Sequence, residues 1–209
     1  MTLLNDLYEQ GGQSPWLDNL RRDWIEDGQL ASLVERGVRG VTSNPTIFAK
    51  AISGSTRYDD QFRSLIATMT PQEAYWELVA TDIAQAMQVL LPVFHESSGV
   101  DGYVSVEVAP NLAHEAEGTI DAARQLRARI DGPNLMVKVP GTEAGLLALR
   151  QLVAEGLSIN VTLLFSLDRY DAVVEAYLAG LEDRLASGVT DLSSVAGVAS
   201  FFVSRVDSS

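Results

Sequence analysis

Two charged residues lie inside short apolar runs of the sequence. Lys138 stands between valines at positions 137 and 139, and Glu107 stands between valines at 106 and 108. Successive side chains of a β-strand point to opposite faces, so each run would separate its charged residue from its apolar neighbours. An amine and a carboxylate in such positions can form a buried ion pair, or they can be the working groups of an active site.

A third run, 158–165, carries polar residues with the same alternation. One face would hold Ser158, Asn160, Thr162 and Leu164, and the other would hold Ile159, Val161, Leu163 and Phe165. Asn44 closes another strand-like run, 37–43. Packing or an ion pair explains any one of these polar residues, but it explains poorly why so many would converge on one interior. The pattern therefore predicts a functional site.

Strand and helix patterns alternate along the chain. The strand runs are 37–43, 103–108, 135–139, 158–165 and 198–203, with a weaker sixth at 15–17 that leads to Asp18. Helical periods cover 3–10, 115–130, 142–154 and 167–185, and the segment 48–94 would carry two or three more helices, one beginning near Pro71. Thr142 and Ser166 are suitable N-caps for the helices that follow them.

This alternation predicts an α/β fold with a parallel sheet, of the (β/α)8 barrel type, in a single domain over residues 1–209. In such barrels the active site lies at the carboxyl ends of the strands. The polar residues named above would be delivered to that end.

Composition narrows the class of function. The 209 residues carry a net charge of −13, which disfavours nucleic acid as a partner and requires a local cation for any anionic substrate. Cysteine is absent, and His95 and His114 are too scattered for a metal site. No targeting segment is visible, and the stretches 89–94 and 161–165 are too short to cross a membrane. We therefore expect a cytoplasmic protein with no metal, no other cofactor and no membrane partner.

Four motifs resemble those of the transaldolase family. In one-letter code they are GVTSNPT at 40–46, VSVEV at 104–108, VKVPGT at 137–142 and NVTLLFS at 160–166. Each is short, but their order on successive predicted strands makes the resemblance strong. The segments WLD at 16–18 and SFFVSR at 200–205 are similar to the family's first and sixth strands. The resemblance spans the whole chain and implies a (β/α)8 barrel.

The resemblance implies a transferase that works through a Schiff base. Lys138 matches the family lysine that forms an imine with a ketose phosphate, and Asp18 matches the general acid/base that takes the proton from the C4 hydroxyl as the C3–C4 bond breaks. Glu107 and Thr162 match the residues that hold the proton-shuttling water during imine formation. The implied reaction moves a dihydroxyacetone unit from sedoheptulose 7-phosphate or fructose 6-phosphate to glyceraldehyde 3-phosphate or erythrose 4-phosphate, in the non-oxidative pentose phosphate pathway.

The resemblance also implies contacts with the sugar phosphate. Asn44 and Asn160 match residues that hydrogen-bond the dihydroxyacetone unit, and Ser200 matches a neighbour of that site. Arg205 matches an arginine that binds the phosphate, a task for which the guanidinium fork is suited. Without the resemblance, Arg205 would be interpreted as a solvated loop residue, Asp18 as a helix N-cap and Ser200 as a small core residue.

The chain departs from the family in the number of strands. Six are predicted here, whereas the family has eight and draws a further serine and a basic residue for the phosphate site from the last two. Unpaired strand edges invite pairing with other chains. We therefore expect a truncated barrel that self-associates through its open edges and has little transfer activity by itself.

Two other interpretations stay open. A fructose-6-phosphate aldolase of the same superfamily would share the lysine and the barrel. The resemblance implies that such an aldolase uses a tyrosine-based proton relay, and Glu107 argues against it. A chain without catalysis would only bind a sugar phosphate or a partner chain. Transfer of the three-carbon unit to erythrose 4-phosphate would indicate a transaldolase, whereas its release as dihydroxyacetone would indicate the aldolase. Borohydride trapping with fructose 6-phosphate separates the second.

Overall fold

The computed structural model of the protein describes residues 2–203, and this part of the chain alternates between helices and strands. In chain order its elements are α1 (Leu3–Gly11), β1 (Trp16–Asp18), α2 (Arg22–Glu26), α3 (Gln29–Glu35), β2 (Gly40–Thr42), α4 (Pro45–Ser53), α5 (Asp59–Leu65), α6 (Pro71–Glu96), β3 (Val104–Glu107), α7 (Ala116–Arg129), β4 (Leu135–Pro140), α8 (Glu143–Glu155), β5 (Ile159–Leu164), α9 (Leu167–Ala186) and β6 (Gly197–Phe201). Every predicted strand and helix is present near its predicted position. The sequence pattern did not predict α2 and α3, because helices this short barely express a helical period.

The strands follow one another in the sheet in the order in which they occur in the chain, from β1 to β6. The pairs β1–β2, β2–β3, β4–β5 and β5–β6 are all parallel. Parallel strands in chain order, separated by helices, are the topology of a (β/α)8 barrel. The predicted fold class is therefore confirmed for the six strands of the described residues.

The contacts within the chain divide it into two compact units. The first contains the residues up to Val106 together with Arg129–Leu135, and the second contains Glu107–Ala128 together with the residues from Met136 onward. Asp18 and Asn44 belong to the first unit. Glu107, Lys138, Asn160, Thr162 and Ser200 belong to the second.

Helix α6 is the longest element of the first unit. It begins with a capping box in which the side chains of Thr70 and Glu73 each accept a hydrogen bond from the other's backbone N–H. The Glu73 carboxylate accepts from both the backbone N–H and the hydroxyl of Thr70, and these two bonds hold the pKa of Glu73 below its usual value. By length and composition alone this helix could cross a membrane, contrary to the expectation that no stretch is long enough. Half of its most apolar window is nevertheless buried inside the protein. Helix α6 is therefore the core helix of this unit.

Asp82, on α6, is the centre of a buried polar network. Its carboxylate accepts hydrogen bonds from Arg22 Nε at 2.7 Å and from the Tyr58 hydroxyl at 2.8 Å. None of the three residues is more than 4% exposed. Burial raises the pKa of Asp82, although the neighbouring guanidinium acts in the opposite direction. The network ties α2 to the core helix.

Replacing Asp82 with asparagine is expected to lower the free energy of unfolding by about 3–5 kcal/mol, because the buried Arg22 guanidinium would lose its counter-charge. Tyr58→Phe keeps the ion pair but removes two hydrogen bonds of the hydroxyl, the one it donates to the Asp82 carboxylate and the one it accepts from the Arg22 backbone N–H, so it should cost about 2–4 kcal/mol. Asp60→Asn is the control, since its ion pair with Arg63 is exposed and worth about 0–1 kcal/mol. Urea unfolding measures all three. A loss for Asp82→Asn no larger than that for Asp60→Asn would contradict the prediction.

Strand β4 belongs to the second unit from Met136 onward, and all six of its residues are buried. The predicted caps are confirmed: Thr142 Oγ1 accepts from the Gly145 N–H at 3.0 Å to start α8, and Ser166 Oγ accepts from the Arg169 N–H at 3.2 Å to start α9. A Cβ on Gly145 would lie 1.7 Å from the Pro140 carbonyl oxygen, so only glycine permits this close return of α8 to β4. Each helix thus starts almost where its strand ends.

Candidate active site

Strand β4 places Lys138 in the interior of the second unit. Its side chain is 6% exposed, and its Nζ lies 3.5 Å from Oε2 of Glu107. Glu107 ends β3 and is 20% exposed, so solvent reaches this carboxylate. The structure therefore brings together the two charged residues that the strand patterns singled out.

Strand β5 adds polar groups beside this pair. It lies next to β4 with Asn160 opposite Lys138 and Thr162 opposite Pro140. Asn160 and Thr162 are each 1% exposed and are two residues apart, which places them on the same face of the strand. Ser200 of β6 donates its hydroxyl to Asn160 Oδ1 at 2.7 Å. The interpretation of Ser200 as only a small core residue is therefore too simple, because its hydroxyl orients a buried carboxamide.

These groups have the chemistry that covalent carbonyl catalysis requires. A lysine amine is a nucleophile towards carbonyl carbon and becomes the nitrogen of an imine. A carboxylate such as Glu107 within reach of the amine, directly or through one water molecule, can carry the protons that imine formation moves. The carboxamide of Asn160 and the hydroxyl of Thr162 offer both donors and acceptors to a polyhydroxylated substrate.

Strand β5 does not keep its predicted alternation to the end. Leu163 has a φ of 64°, in the left-handed region, and the pairing with β6 shifts between Val161 and Leu164. As a result Leu164 is 1% exposed, whereas Leu163 and Phe165 are 40% and 54% exposed. The expectation that Leu163 and Phe165 pack on the face opposite Leu164 is wrong, because a β-bulge turns the chain after Thr162. Bulges of this kind re-aim side chains next to active sites.

Because of the bulge, a glycine variant at position 163 should be more stable than an alanine variant. A left-handed φ costs a residue with a Cβ about 1–2 kcal/mol, so Leu163→Gly should be about 1 kcal/mol more stable than Leu163→Ala. At Val161, which is not in the left-handed region, the order should reverse by about 0.5–1 kcal/mol, because glycine loses more backbone entropy. Denaturant unfolding of the four variants measures both differences. If the alanine variant is more stable than the glycine variant at both positions, the backbone at Leu163 is not strained.

In the first unit, β1 ends at Asp18, and its register with β2 sets Asp18 beside Thr42. Asp18 is exposed, and the N-cap of the next helix is Arg21, so the interpretation of Asp18 as a helix N-cap is wrong. Asn44 is itself an N-cap, since its Oδ1 accepts from the Ile47 N–H at 2.9 Å to start α4. The amide N–H groups of Asn44 are therefore the part of its side chain that a ligand can use.

A residue that the sequence pattern missed lies between these two. Thr42 Oγ1 is buried and has no hydrogen-bond partner within the described residues. Buried hydroxyls are normally paired, so an unpaired one at the end of a strand indicates a ligand or water position. Its place at the end of β2, two residues before Asn44, was the available signal.

A cavity of about 330 Å³ opens beside Asp18. It is lined by Asp18, Asn19, Arg21, Ile47, Lys50, Ala51 and Gly54. Lys50 is exposed, and it shares this cavity with Asp18.

Arg205 lies outside the described residues. Within residues 2–203, no group of three or more histidine, aspartate and glutamate side chains is arranged to hold a metal ion. His95 packs its ring edge-on against Phe94, with centroids 5.8 Å apart.

Comparison with known proteins places the chain among its relatives. Residues 15–209 match the family model described as Transaldolase/Fructose-6-phosphate aldolase. The chain belongs to this transaldolase and aldolase family. It is 51% identical over 207 residues to the transaldolase of Parafrankia sp. (strain EAN1pec), which covers 98% of this chain and 56% of that protein. It is 49% identical over 202 residues to transaldolase 2 of Nostoc punctiforme, covering 96% of this chain and 53% of that protein.

Membership of the transaldolase and aldolase family confirms the resemblance found in the four motifs. The chain spans about half the length of the curated relatives it matches. The matches extend over nearly the whole chain and do not test single residues.

Proposed function

We propose that this chain carries transaldolase chemistry, the transfer of a dihydroxyacetone unit from a ketose phosphate to an aldose phosphate. The observation that carries the proposal is the buried Lys138 amine, 3.5 Å from the Glu107 carboxylate and next to Asn160 on the neighbouring strand. A buried ion pair needs no such surroundings, whereas imine formation needs a nucleophile, a proton carrier and groups that bind hydroxyls. The relatives from Parafrankia and Nostoc bear the name transaldolase.

The first half of the reaction joins the donor to the protein. The neutral Lys138 amine attacks C2 of the ketose phosphate, and the resulting carbinolamine loses water to give an iminium. Glu107 and Thr162 serve this step by holding the water that carries protons to and from the oxygen of C2. Asn160, with Ser200 bonded to its carboxamide oxygen, directs its amide N–H groups at the hydroxyls of the dihydroxyacetone unit.

The second half moves carbon. Asp18 takes the proton of the C4 hydroxyl, the C3–C4 bond breaks, and its electron pair enters the iminium to leave an enamine on Lys138. The enamine adds to the aldehyde of the acceptor, Asp18 returns the proton to the new hydroxyl, and hydrolysis frees the product. Asn44 binds the dihydroxyacetone unit through its amide N–H groups. Arg205 binds the phosphate.

The second candidate is a fructose-6-phosphate aldolase, whose name the matching family model shares. The two activities separate at one point, because an aldolase releases the three-carbon unit and a transaldolase retains it until an aldose phosphate arrives. Glu107 beside Lys138 favours the transaldolase, since the family resemblance implies a tyrosine-based proton relay in the aldolases.

The function is tested with fructose 6-phosphate as donor and erythrose 4-phosphate as acceptor. We expect sedoheptulose 7-phosphate to form with no release of dihydroxyacetone when the acceptor is omitted. The assay is made on the 209-residue chain and on a version extended with the part of the Parafrankia relative that the match leaves uncovered. Release of dihydroxyacetone at the rate of donor consumption would favour the aldolase. A chain that binds the sugar phosphate but turns over nothing in either version would favour the non-catalytic alternative.

The same proposal covers location and partners. The substrates are soluble sugar phosphates and the imine mechanism needs no cofactor, so we place the protein in the cytoplasm. Net charge −13 supports the view that it does not act on nucleic acid.

A further inference from the structure

Lysine is rare in this chain. Of the 15 lysine and arginine residues, only Lys50 and Lys138 are lysines. Lys138 is the proposed imine nitrogen, whereas the mechanism above leaves Lys50 without a task. Lys50 nevertheless lines the cavity beside Asp18.

The spacing of residues along α4 places Lys50 on the face of the helix that lines the cavity. Four of the residues that line the cavity are spaced three or four positions apart: Ile47, Lys50, Ala51 and Gly54. This spacing places them on one face of a helix. Ala51 is buried and Ile47 is half-buried. Lys50 is therefore the charged member of an otherwise apolar face, placed where the carboxyl end of β1 delivers Asp18.

The charges around the cavity are not all satisfied. Arg21 is held by Asp23 through two hydrogen bonds of 3.0 Å and 2.6 Å. In the part of the chain that the structure describes, the Lys50 ammonium and the Asp18 carboxylate make no ion pair or side-chain hydrogen bond, with each other or with a third group. The cavity thus offers one uncommitted donor of positive charge and one uncommitted acceptor of negative charge.

We propose that Lys50 binds the phosphate of a sugar phosphate whose hydroxyl group contacts Asp18. A neutral sugar would satisfy Asp18 and leave the ammonium unpaired, and an anion without hydroxyl groups would be repelled by the carboxylate. A hydroxylated phosphate monoester satisfies both, because its hydroxyl donates to the carboxylate and its phosphate oxygens accept from the ammonium. Lys50 is then a phosphate-binding residue additional to Arg205. The inference rests on the proposed function for the identity of the sugar phosphate.

A structural role for Lys50 predicts a different result. Lys50 lies in the last turn of α4, where a positive charge interacts favourably with the partial negative charge of the helix end. Loss of that interaction would lower stability and would affect phosphorylated and unphosphorylated ligands equally. The deciding measurement is therefore the selectivity for phosphate.

The experiment measures binding of fructose 6-phosphate and of fructose to the full chain by calorimetry. The variants are Lys50→Gln, Lys50→Arg and Arg36→Gln, the last being a matched loss of one exposed charge in the same unit but away from the cavity. The parent should prefer fructose 6-phosphate to fructose. Lys50→Gln should bind fructose 6-phosphate at least about tenfold more weakly, as loss of a charge-assisted hydrogen bond implies, and should bind fructose unchanged. Lys50→Arg and Arg36→Gln should behave like the parent.

Unchanged affinity of Lys50→Gln for fructose 6-phosphate would overturn the proposal. Equal losses for both sugars, or a parent with no preference for the phosphorylated one, would overturn it as well. Binding is measured without turnover, so a chain that binds as expected but transfers nothing would refute the proposed function and still support the role of Lys50.

Discussion

Replacement of Lys138 by arginine should abolish both dihydroxyacetone transfer and the adduct that borohydride traps from fructose 6-phosphate. The guanidinium group stays protonated under any condition in which the protein is folded, so it cannot attack a carbonyl or form an imine. Arginine keeps the positive charge that faces Glu107. A purely structural ion pair would therefore survive the change, whereas covalent catalysis would not.

The measurements are the transfer assay and the intact mass after reduction, each compared with Arg36→Lys. That control exchanges the same two side chains at an exposed position away from the cavity beside Asp18, and it should keep both transfer and adduct. Thermal unfolding shows whether the buried site tolerates the larger side chain. Transfer above the level without enzyme, in a Lys138→Arg protein that unfolds like the parent, would refute the imine mechanism.

Asp18→Ala and Glu107→Ala should each slow transfer by about 10²–10⁴-fold, the usual contribution of a general acid or base, but at different steps. Without Asp18 the imine should still form and accumulate, because the group that takes the C4 hydroxyl proton is missing. Without Glu107 the imine itself should form slowly, because the water that carries protons at C2 has lost its carboxylate.

Borohydride trapping at timed intervals separates the two variants. Asp18→Ala should reach at least the parental yield of trapped adduct at the parental rate, and Glu107→Ala should lag. Glu9→Ala removes an exposed carboxylate on α1 and should change neither rate. If Asp18→Ala gives no adduct while Glu107→Ala traps at the parental rate, the two roles are assigned the wrong way round.

The strands that carry Lys138 and Glu107 could be predicted because their valines alternate strictly with the remaining residues. A strand buried on both faces tolerates a charged side chain at few positions, so Lys138 stood out in the sequence. The caps Thr142 and Ser166 were equally visible, because a hydroxyl residue directly after a strand satisfies the first free N–H groups of a helix.

Other features depend on contacts that no local pattern contains. The bulge at Leu163 places a leucine in the left-handed region, which a sequence rule reserves for glycine, asparagine and aspartate. Tertiary structure holds it there, and the alternation of 158–165 therefore failed after Thr162. Asp82 joins Arg22 and Tyr58 across 60 and 24 positions of sequence. Nothing in the periodicity of α6 announces such a network.

The position of Lys50 is a third feature that the sequence pattern did not predict. From the sequence alone Lys50 lies in a polar segment, and lysines of such segments are usually solvated. Its significance depends on the cavity that α4 and the end of β1 form together, which only the fold reveals. The rarity of lysine in the chain was the one signal that could have drawn attention to it.

Peptide mapping after borohydride reduction in the presence of fructose 6-phosphate tests the central claim most directly. The chain has two lysines, so the position of the label is unambiguous. Mapping is done on the 209-residue chain and on the version extended with the uncovered part of the Parafrankia relative. The mechanism predicts a single sugar-derived adduct, on the peptide that contains Lys138, that disappears when borohydride or donor is omitted. An adduct on Lys50 instead, or no adduct on either lysine in either version, would contradict it.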